Sequence, residues 1–372
     1  MTSPRVVMIC SFPPPVGGAA LVNSMVRDAL VEQQTPVVSI NVAGPTLAHT
    51  RGLGYHARRI ARNLAGMKHA LATARAGDTL YVVPDAGAGA WYTAGHLYAA
   101  GRRYDHVVIH HHSCRYIEEY SPAIAAGTRH VGDRATHVFL TEGMAAAFQQ
   151  RYGPVRFQVA TNARLVAAEA LTPPAAPPSG RGVRLGHLSN LCADKGFFGV
   201  ADTFDAIRAA GIEATLALAG PILEPEVETR LADLRQRHGD RVHYAGPLRG
   251  EAKRLFFREL DLFLFPTQFK QEAAPLVIYE SFAAGVPVLS RDLGIIAEIV
   301  PTDFGAVVAR EESFAVRALA YVREHGWGPE EGSARAAAVK AYIREQCVRS
   351  QAQYKTLLAT LSGDALPEEG TS

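Results

Sequence analysis

Phe265-Pro-Thr-Gln-Phe-Lys-Gln-Glu272-Ala-Ala-Pro275-Leu-Val-Ile-Tyr-Glu280-Ser-Phe-Ala-Ala-Gly285-Val-Pro-Val-Leu-Ser290 reads as the end of a strand, a polar loop, a helix, a turn and a second strand. Leu262–Phe265 is apolar and short enough for a buried strand. Pro275 suits the first residue of a helix, because the N–H it lacks is one that a helix start leaves unpaired. Gly285 ends the helix, and Val286–Leu289 is the next apolar run. Such a step leaves the amides of Leu276 and Val277, with the positive end of the helix dipole, beyond the carboxyl end of a strand, where a phosphate is bound favourably.

The same alternation extends outward on both sides. Toward the amino terminus it gives strand Val183–Ser189, helix Phe197–Ala210, strand Ala214–Ala219, helix Pro225–His238, strand Val242–Tyr244 and helix Gly250–Glu259. Earlier still, apolar runs at Arg5–Cys10, Pro36–Val42, Thr79–Val83, His106–His110, His137–Leu140 and Phe157–Ala160 are separated by helical or loop stretches. Strands alternating with helices predict parallel sheets covered on both faces. Between Leu171 and Gly182 the segment LTPPAAPPSGRG breaks all periodicity and reads as a linker. The expected fold class is therefore α/β, with two Rossmann-like doubly wound domains facing a central cleft. The expected bounds are 1–170, linker 171–182 and 183–342. A carboxy-terminal helix at about 343–362, within the helical stretch Ser333–Leu361, returns to the first domain, and 363–372 is a flexible tail. In open α/β sheets ligands bind past the carboxyl ends of the strands, so function is sought in the loops that follow them.

Composition narrows the classes. A 48% hydrophobic, 20% charged chain of 372 residues is globular and long enough for two domains. The formal charge of +2 gives no global case for nucleic acid. The balance is uneven, however: residues 1–170 hold 16 basic and 10 acidic side chains. Arg51, Arg58, Arg59, Arg62, Lys68 and Arg75 follow one another without a carboxylate. With Leu53, Ile60, Leu64, Met67 and Leu71 at mainly three- and four-residue spacing, they predict an amphipathic helix with a cationic face. Such a face is ordinarily solvated; it also suits an anionic membrane or a lipid-linked phosphate. Cys10, Cys114, Cys192 and Cys347 lie too far apart for a zinc or CxxC pattern, and no run of 18 apolar residues occurs. A cytoplasmic protein is expected, with contact at the inner face of the membrane through the basic helix near 55–75.

Two carboxylates in the quoted stretch point to chemistry. Glu272 lies just ahead of the helix, and Glu280 sits among Leu, Val, Ile, Tyr, Phe and Ala. A carboxylate in apolar surroundings needs partners, and vicinal sugar hydroxyls are suitable donors. The plainer alternative is that backbone amides or an arginine satisfy Glu280 and that Glu272 is a solvated loop residue.

The stretch resembles the retaining GT-B glycosyltransferases of family 4, whose signature is E-x7-E. Glu272 and Glu280 have that spacing, set in P-T-x-x-x-x-E-A-x-P-L-V-I-Y-E-S-F-A-A-G-V-P-V. The resemblance implies that Glu272 meets the donor sugar, that Glu280 holds the nucleotide ribose, and that Ala274 and the amides of Leu276 and Val277 belong to the donor site. Leu188-Ser189-Asn190-Leu191-Cys-Ala-Asp-Lys195-Gly196 resembles the family's G-R-L-x3-K-G loop, in which Arg and Lys neutralise the donor diphosphate. Asn190 stands where Arg is commonest, so Lys195 carries more of the charge, or Arg184 or Arg249 substitutes. Phe12–Ala20, with Gly17 and Gly18, is similar to the family's P-x-x-G-G loop. Members also place a histidine against the donor sugar, which falls here to His111 or His112, with His112 preferred.

These implications name Glu272, His112 and Lys195 as catalytic, and Gly17, Gly18, Asn190, Lys195, Ala274, Leu276, Val277 and Glu280 as donor-binding. His111 and the Arg58 to Arg62 region are the candidates for the acceptor. No metal and no cofactor are expected; the co-substrate is a nucleotide diphosphate sugar, with UDP or GDP as the nucleotide. The acceptor is a saccharide, a lipid-linked group or a small molecule. The implied activity is a retaining hexosyl transfer (EC 2.4), in polysaccharide, glycolipid or glycoconjugate biosynthesis, with domain closure excluding water. A nucleotide-sugar epimerase of the same shape and a non-catalytic nucleotide-sugar-binding subunit are the alternatives. Tyr81-Val-Val-Pro-Asp-Ala-Gly87-Ala-Gly89-Ala-Trp91-Tyr92 begins like a dinucleotide fingerprint, but Tyr92 fills the position that needs a small residue.

Overall fold

The computed structural model describes residues 4–14, 17–44, 52–172 and 182–363. The chain divides into two units, Met1–Asn162 with Ser350–Ser372, and Ala163–Arg349.

The first unit runs β1 (Val6–Cys10), α1 (Gly18–Glu32), β2 (Val37–Asn41), α2 (Leu53–Thr73), β3 (Thr79–Val82), α3 (Ala90–Ala100), β4 (His106–His110), α4 (Arg115–Glu118), α5 (Pro122–Val131), β5 (Ala135–Phe139), α6 (Glu142–Tyr152) and β6 (Phe157–Val159). All pairings are parallel, in the order β2-β1-β3-β4-β5-β6. Val6–Cys10 is buried throughout, as continuous apolar strands of a sheet covered on both faces must be. The order reverses between β1 and β3, so the loops that follow these two strands border the unit's natural ligand crevice.

The second unit opens with α7 (Ala167–Leu171) and continues β7 (Val183–Leu188), α8 (Phe197–Ala209), β8 (Ala214–Ala219), α9 (Pro225–His238), β9 (Val242–Tyr244), α10 (Gly250–Arg258), β10 (Leu262–Phe265), α11 (Leu276–Ala284), β11 (Val288–Arg291), α12 (Ile296–Ile299), β12 (Gly305–Val308) and α13 (Phe314–Glu324). Its six parallel strands are ordered β12-β11-β10-β7-β8-β9. Counted from β7 this is 3-2-1-4-5-6, the doubly wound order, with its reversal between β7 and β10. Phe204 of α8, Leu231 of α9 and Ala318 of α13 pack in one core with Leu185 and Leu216 of the sheet.

One helix, α14 (Pro329–Ser362), contributes to both units, and the division falls inside it. Its early turns bind the second unit: Arg344 Nε donates to Ala170 O at 2.9 Å, and Cys347 lies 3.1 Å from Ala163 O. Its late turns bind the first: Ser350 Oγ donates to Thr161 O at 2.6 Å, and Thr360 Oγ1 to Gln158 Oε1 at 3.2 Å. These bonds explain why Ala163–Leu171, ahead of the expected 170/171 bound, goes with the second unit. Residues 173–181, most of the expected linker, and 364–372, nearly all of the expected tail, lie outside the described residues. The four cysteines are buried, and none is in a disulfide among the described residues. No helix among the described residues is long and apolar enough to cross a membrane.

Candidate active site

The loops that follow β7 and β10 meet at the reversal point of the second sheet. Gln268 N donates to Asp194 O at 2.8 Å and stitches one loop to the other. Gly196 has φ +85°, and a Cβ there would stand 2.2 Å from Pro266 O, so only glycine lets the backbones approach this closely. The stitching brings Lys195 onto Glu272 as an ion pair, with side chains 20% and 14% exposed. Lys195 Nζ also lies 4.2 Å from the centre of the Phe269 ring, and Thr267 Oγ1 lies 3.5 Å from Glu272 Oε2. Two residues named separately from the sequence thus form one unit of opposite charge.

Pro275 is the cap of α11, one position ahead of the helical residue expected of it, with extended backbone at φ −61°, ψ 125°. The first helical amides are therefore those of Leu276 and Val277, and neither has an acceptor among the described residues. They are the free donors that any helix start presents, here aimed past the end of β10. Ala274 is nearly buried beside them.

Glu280, one turn further, is bonded neither to an arginine nor to amides among the described residues. Lys253 Nζ of α10 stands 2.6 Å from both of its carboxylate oxygens. The pair opens on a pocket of about 150 Å³ formed by α7, α10 and α11 and also lined by Glu169, Arg254, Phe257 and Ala284. Lys253 was not among the residues singled out from sequence; only its place on the helix preceding β10 could have suggested it. Asn190 is half-buried, and no described side chain bonds its amide group. Arg184, considered as a replacement for the missing arginine, is instead held by Asp261 at 3.0 and 2.7 Å. It sits at the opposite end of β7 from Ser189. Arg249 is exposed at the cap of α10.

In the first unit Gly17 caps α1, and a Cβ on Gly17 or Gly18 would meet nothing within 4 Å among the described residues. Neither glycine has a positive φ. Among the described residues, packing and backbone conformation therefore do not account for them. Residues 15 and 16 of that loop lie outside the described residues.

The three histidines after β4 separate clearly. His110 is fully buried, with Nδ1 2.8 Å from the Tyr81 hydroxyl. His111 is 1% exposed and has both nitrogens engaged, with Tyr116 Oη at 3.0 Å and His137 Nδ1 at 2.9 Å, while its ring stacks on Phe139. It is a core residue, which corrects its candidacy for the acceptor. His112 is only partly buried, and its Nε2 has no partner among the described residues. Burial lowers the pKa of His112 to about 4, so at neutral pH it is an uncharged imidazole.

Helix α2 lies on the sheet through its smallest residues. Asn63, Gly66 and Ala70 are its buried residues, and a Cβ on Gly66 would come within 3.0 Å of Val42. Small residues let the helix lie close on the sheet, and Leu53, Ile60 and Leu64 face outward at 91%, 46% and 55% exposure. Of the arginines, Arg59 is paired with Asp85 at 2.8 Å, Arg62 donates to Ala43 O at 2.7 Å, and Arg58 reaches only its own helix, at Gly54 O. Arg51 lies outside the described residues. Among the described residues no group of three or more His, Cys, Asp or Glu is arranged to hold a metal ion.

With this geometry in place, the likenesses to known proteins have a structural meaning. Residues 182–324 match the family described as Glycosyl transferases group 1, and both carboxylates, Lys195 and Lys253 fall inside that span. No curated protein sequence matches the chain. Anabaena HepE in complex with UDP-glucose is similar over 95% of this chain and 99% of its own, at 18% identity and TM-score 0.62. An alpha,alpha-trehalose-phosphate synthase (UDP-forming) from Burkholderia vietnamiensis is similar over 97% and 99%, at 14% identity and TM-score 0.67. The catalytic domain of Arabidopsis thaliana starch synthase IV, bound to ADP and acarbose, is similar over 96% and 100%, at 13% identity and TM-score 0.59. Identities this low speak for the fold, while the family match speaks for the second unit. The chain therefore has the GT-B fold, and residues 182–324 of its second unit match the Glycosyl transferases group 1 family.

Proposed function

We propose that the chain transfers a hexosyl group from a nucleotide diphosphate sugar to an acceptor, with retention of anomeric configuration. The observation that carries this reading is the Lys195–Glu272 ion pair beside the free amides of Leu276 and Val277, at the strand-order reversal of the matched domain. In the unliganded chain the two side chains neutralise each other. An arriving diphosphate offers Lys195 a second anionic partner and gives the helix amides the acceptors they lack. Glu272 is then released toward the sugar, and Lys195 and the amides stabilise the charge that develops on the leaving diphosphate. Glu280 takes the ribose hydroxyls, with Lys253 holding its carboxylate in place. His112, neutral and with Nε2 unoccupied, hydrogen-bonds the sugar.

HepE was solved with UDP-glucose and the Burkholderia synthase is described as UDP-forming, which supports a uridine nucleotide as donor. The outward Leu53, Ile60 and Leu64, on a helix with basic and no acidic residues, support an acceptor met at an anionic membrane surface. The test is incubation of the chain with UDP-glucose and with GDP-mannose, separately, over a panel of saccharide and polyprenyl-phosphate acceptors, with the anomeric configuration of the product read by NMR. A chain that is stabilised by no nucleotide and transfers neither sugar refutes the proposal. An inverted anomer refutes retention alone.

A further inference from the structure

Ser189 and His187, neither of which has a role in the donor site described above, form a hydrogen-bonded chain whose proton positions can be deduced. His187 of β7 is fully buried, its ring stacked with Phe263 and Phe265 at 6.4 and 6.3 Å. Its Nδ1 lies 2.8 Å from Leu264 O of β10. A carbonyl oxygen only accepts, so Nδ1 carries the hydrogen. Burial lowers the His187 pKa to about 4, so the ring holds one hydrogen near neutral pH and Nε2 is a bare lone pair. Ser189 Oγ lies 2.8 Å from that Nε2 and 3.1 Å from Asn190 O. The hydroxyl has one hydrogen to give. Donated to Asn190 O, it would leave two lone pairs facing each other at 2.8 Å in a buried place; donated to Nε2, the contact left without a hydrogen is the longer one, 3.1 Å to Asn190 O, and the lesser repulsion. The hydrogen of Ser189 therefore points inward, which leaves Oγ of this half-buried residue an acceptor only.

The backbone under Ser189 is fixed as firmly. Its N–H donates to Ala219 O at 3.2 Å, and a Cβ on Gly220 would stand 1.7 Å from Ser189 O. The same loop leads directly to Asn190 and Lys195, stitched to the loop of Glu272 as described.

We infer that Ser189 is a specificity residue that accepts a hydrogen bond from a hydroxyl of the donor's sugar and makes none to its diphosphate. Phosphate oxygens are acceptors, and Ser189 has no hydrogen left for one; a sugar hydroxyl supplies what Oγ needs. This rests on the donor reading above and adds to it a residue that distinguishes nucleotide sugar from bare nucleotide.

Calorimetric titration of the full chain and of Ser189→Ala with UDP and UDP-glucose, and with GDP and GDP-mannose, tests it. With the pair that binds, Ser189→Ala is expected to weaken the nucleotide sugar about tenfold, one charge-free hydrogen bond's worth, and to leave the bare diphosphate within about twofold. Equal weakening of both, or of neither, overturns the inference while leaving the donor reading intact. A wild-type chain that binds none of the four compounds removes the donor reading and the inference together. Independently of any ligand, ¹⁵N spectra of the imidazole rings are expected to show His187 with hydrogen on Nδ1 and none on Nε2. A hydrogen on Nε2 overturns the inference.

Discussion

Lys253 Nζ stands 2.6 Å from each carboxylate oxygen of Glu280, so a residue 27 positions away in sequence fixes the orientation of a carboxylate that the sequence alone leaves without a partner. If Glu280 serves the ribose, its replacement should act on nucleotide binding. Glu280→Ala is expected to raise the Kd for the bare nucleoside diphosphate roughly 10- to 100-fold, the worth of one or two hydrogen bonds to a charged group. A 2′-deoxy nucleotide should lose less. Titration calorimetry measures both, and an unchanged Kd for the ribonucleotide would count against the assignment.

Glu272→Gln keeps the size of the side chain and removes the charge that balances Lys195. Transfer is expected to fall by at least about 100-fold, as when one preorganised electrostatic group is lost from an active site. The nucleoside diphosphate should bind as tightly as before or more tightly, because Lys195 no longer has to leave a carboxylate. Initial rates and diphosphate affinity, measured on the same preparation, separate the two effects.

Gly196→Ala places a methyl group against Pro266 O on a backbone at φ +85°. Destabilisation of about 1–3 kcal/mol is expected from the left-handed conformation and the clash together. Because Gly196 follows Lys195 directly, donor affinity should fall with it. Chemical unfolding and a nucleotide titration read the two; full stability in the variant would show that the loops can part without cost.

Acid should unfold the protein over a defined window. Burial holds His112 and His187 at about pKa 4 and His137 at about 3, and depresses His110 and His111 well below the ordinary value of 6.5. In the unfolded chain all five take up protons as pH falls through 6.5, while the folded chain does not. Stability is therefore fully present above about pH 6.5 and is lost progressively as pH falls from there toward 4. Near pH 5 the slope of stability against pH should correspond to several protons taken up on unfolding. Denaturant melts at half-unit intervals of pH give that slope, and a flat profile from 7 to 5 would contradict the burial of these rings.

The outward face of α2 makes a prediction of its own. Leu53→Ser, Ile60→Ser and Leu64→Ser together should reduce partition onto vesicles containing phosphatidylglycerol by at least about tenfold, since each apolar side chain contributes on the order of 1 kcal/mol when it enters a membrane interface. Binding to neutral vesicles should be poor for the wild type and the variant alike. Co-sedimentation measures both, and undiminished binding by the triple variant would place the contact elsewhere.

Much of this was legible before the coordinates. Eleven of the twelve described strands fall at the short apolar runs read from the sequence, because a parallel sheet covered on both faces leaves no polar side to confuse the pattern; β12 (Gly305–Val308) was not among them. The α11 region was readable for the same reason, and its two carboxylates were conspicuous in an apolar setting. Pairing across elements was not readable: Lys253, Asp261 and Gln268 find their partners through the order of strands, which no local spacing records. The buried face of α2 was not readable, because large apolar residues ordinarily mark the buried side. Here close approach to the sheet selects Gly66 and Ala70 instead and turns Leu53, Ile60 and Leu64 to solvent. Three consecutive histidines look alike in sequence, whereas His111 has both nitrogens engaged and His112 keeps an Nε2 without a partner among the described residues.

The split of α14 between two bodies bears on how the polypeptide is made. Ser350–Ser362 belongs with strands that all precede residue 163. A ribosome therefore delivers this piece of the earlier body only after the whole of the later one has been made, and the amino-terminal half must wait for it, lacking its closing helical turns. Stop codons placed shortly before Ser350 would release chains whose second half is complete and whose first half is not.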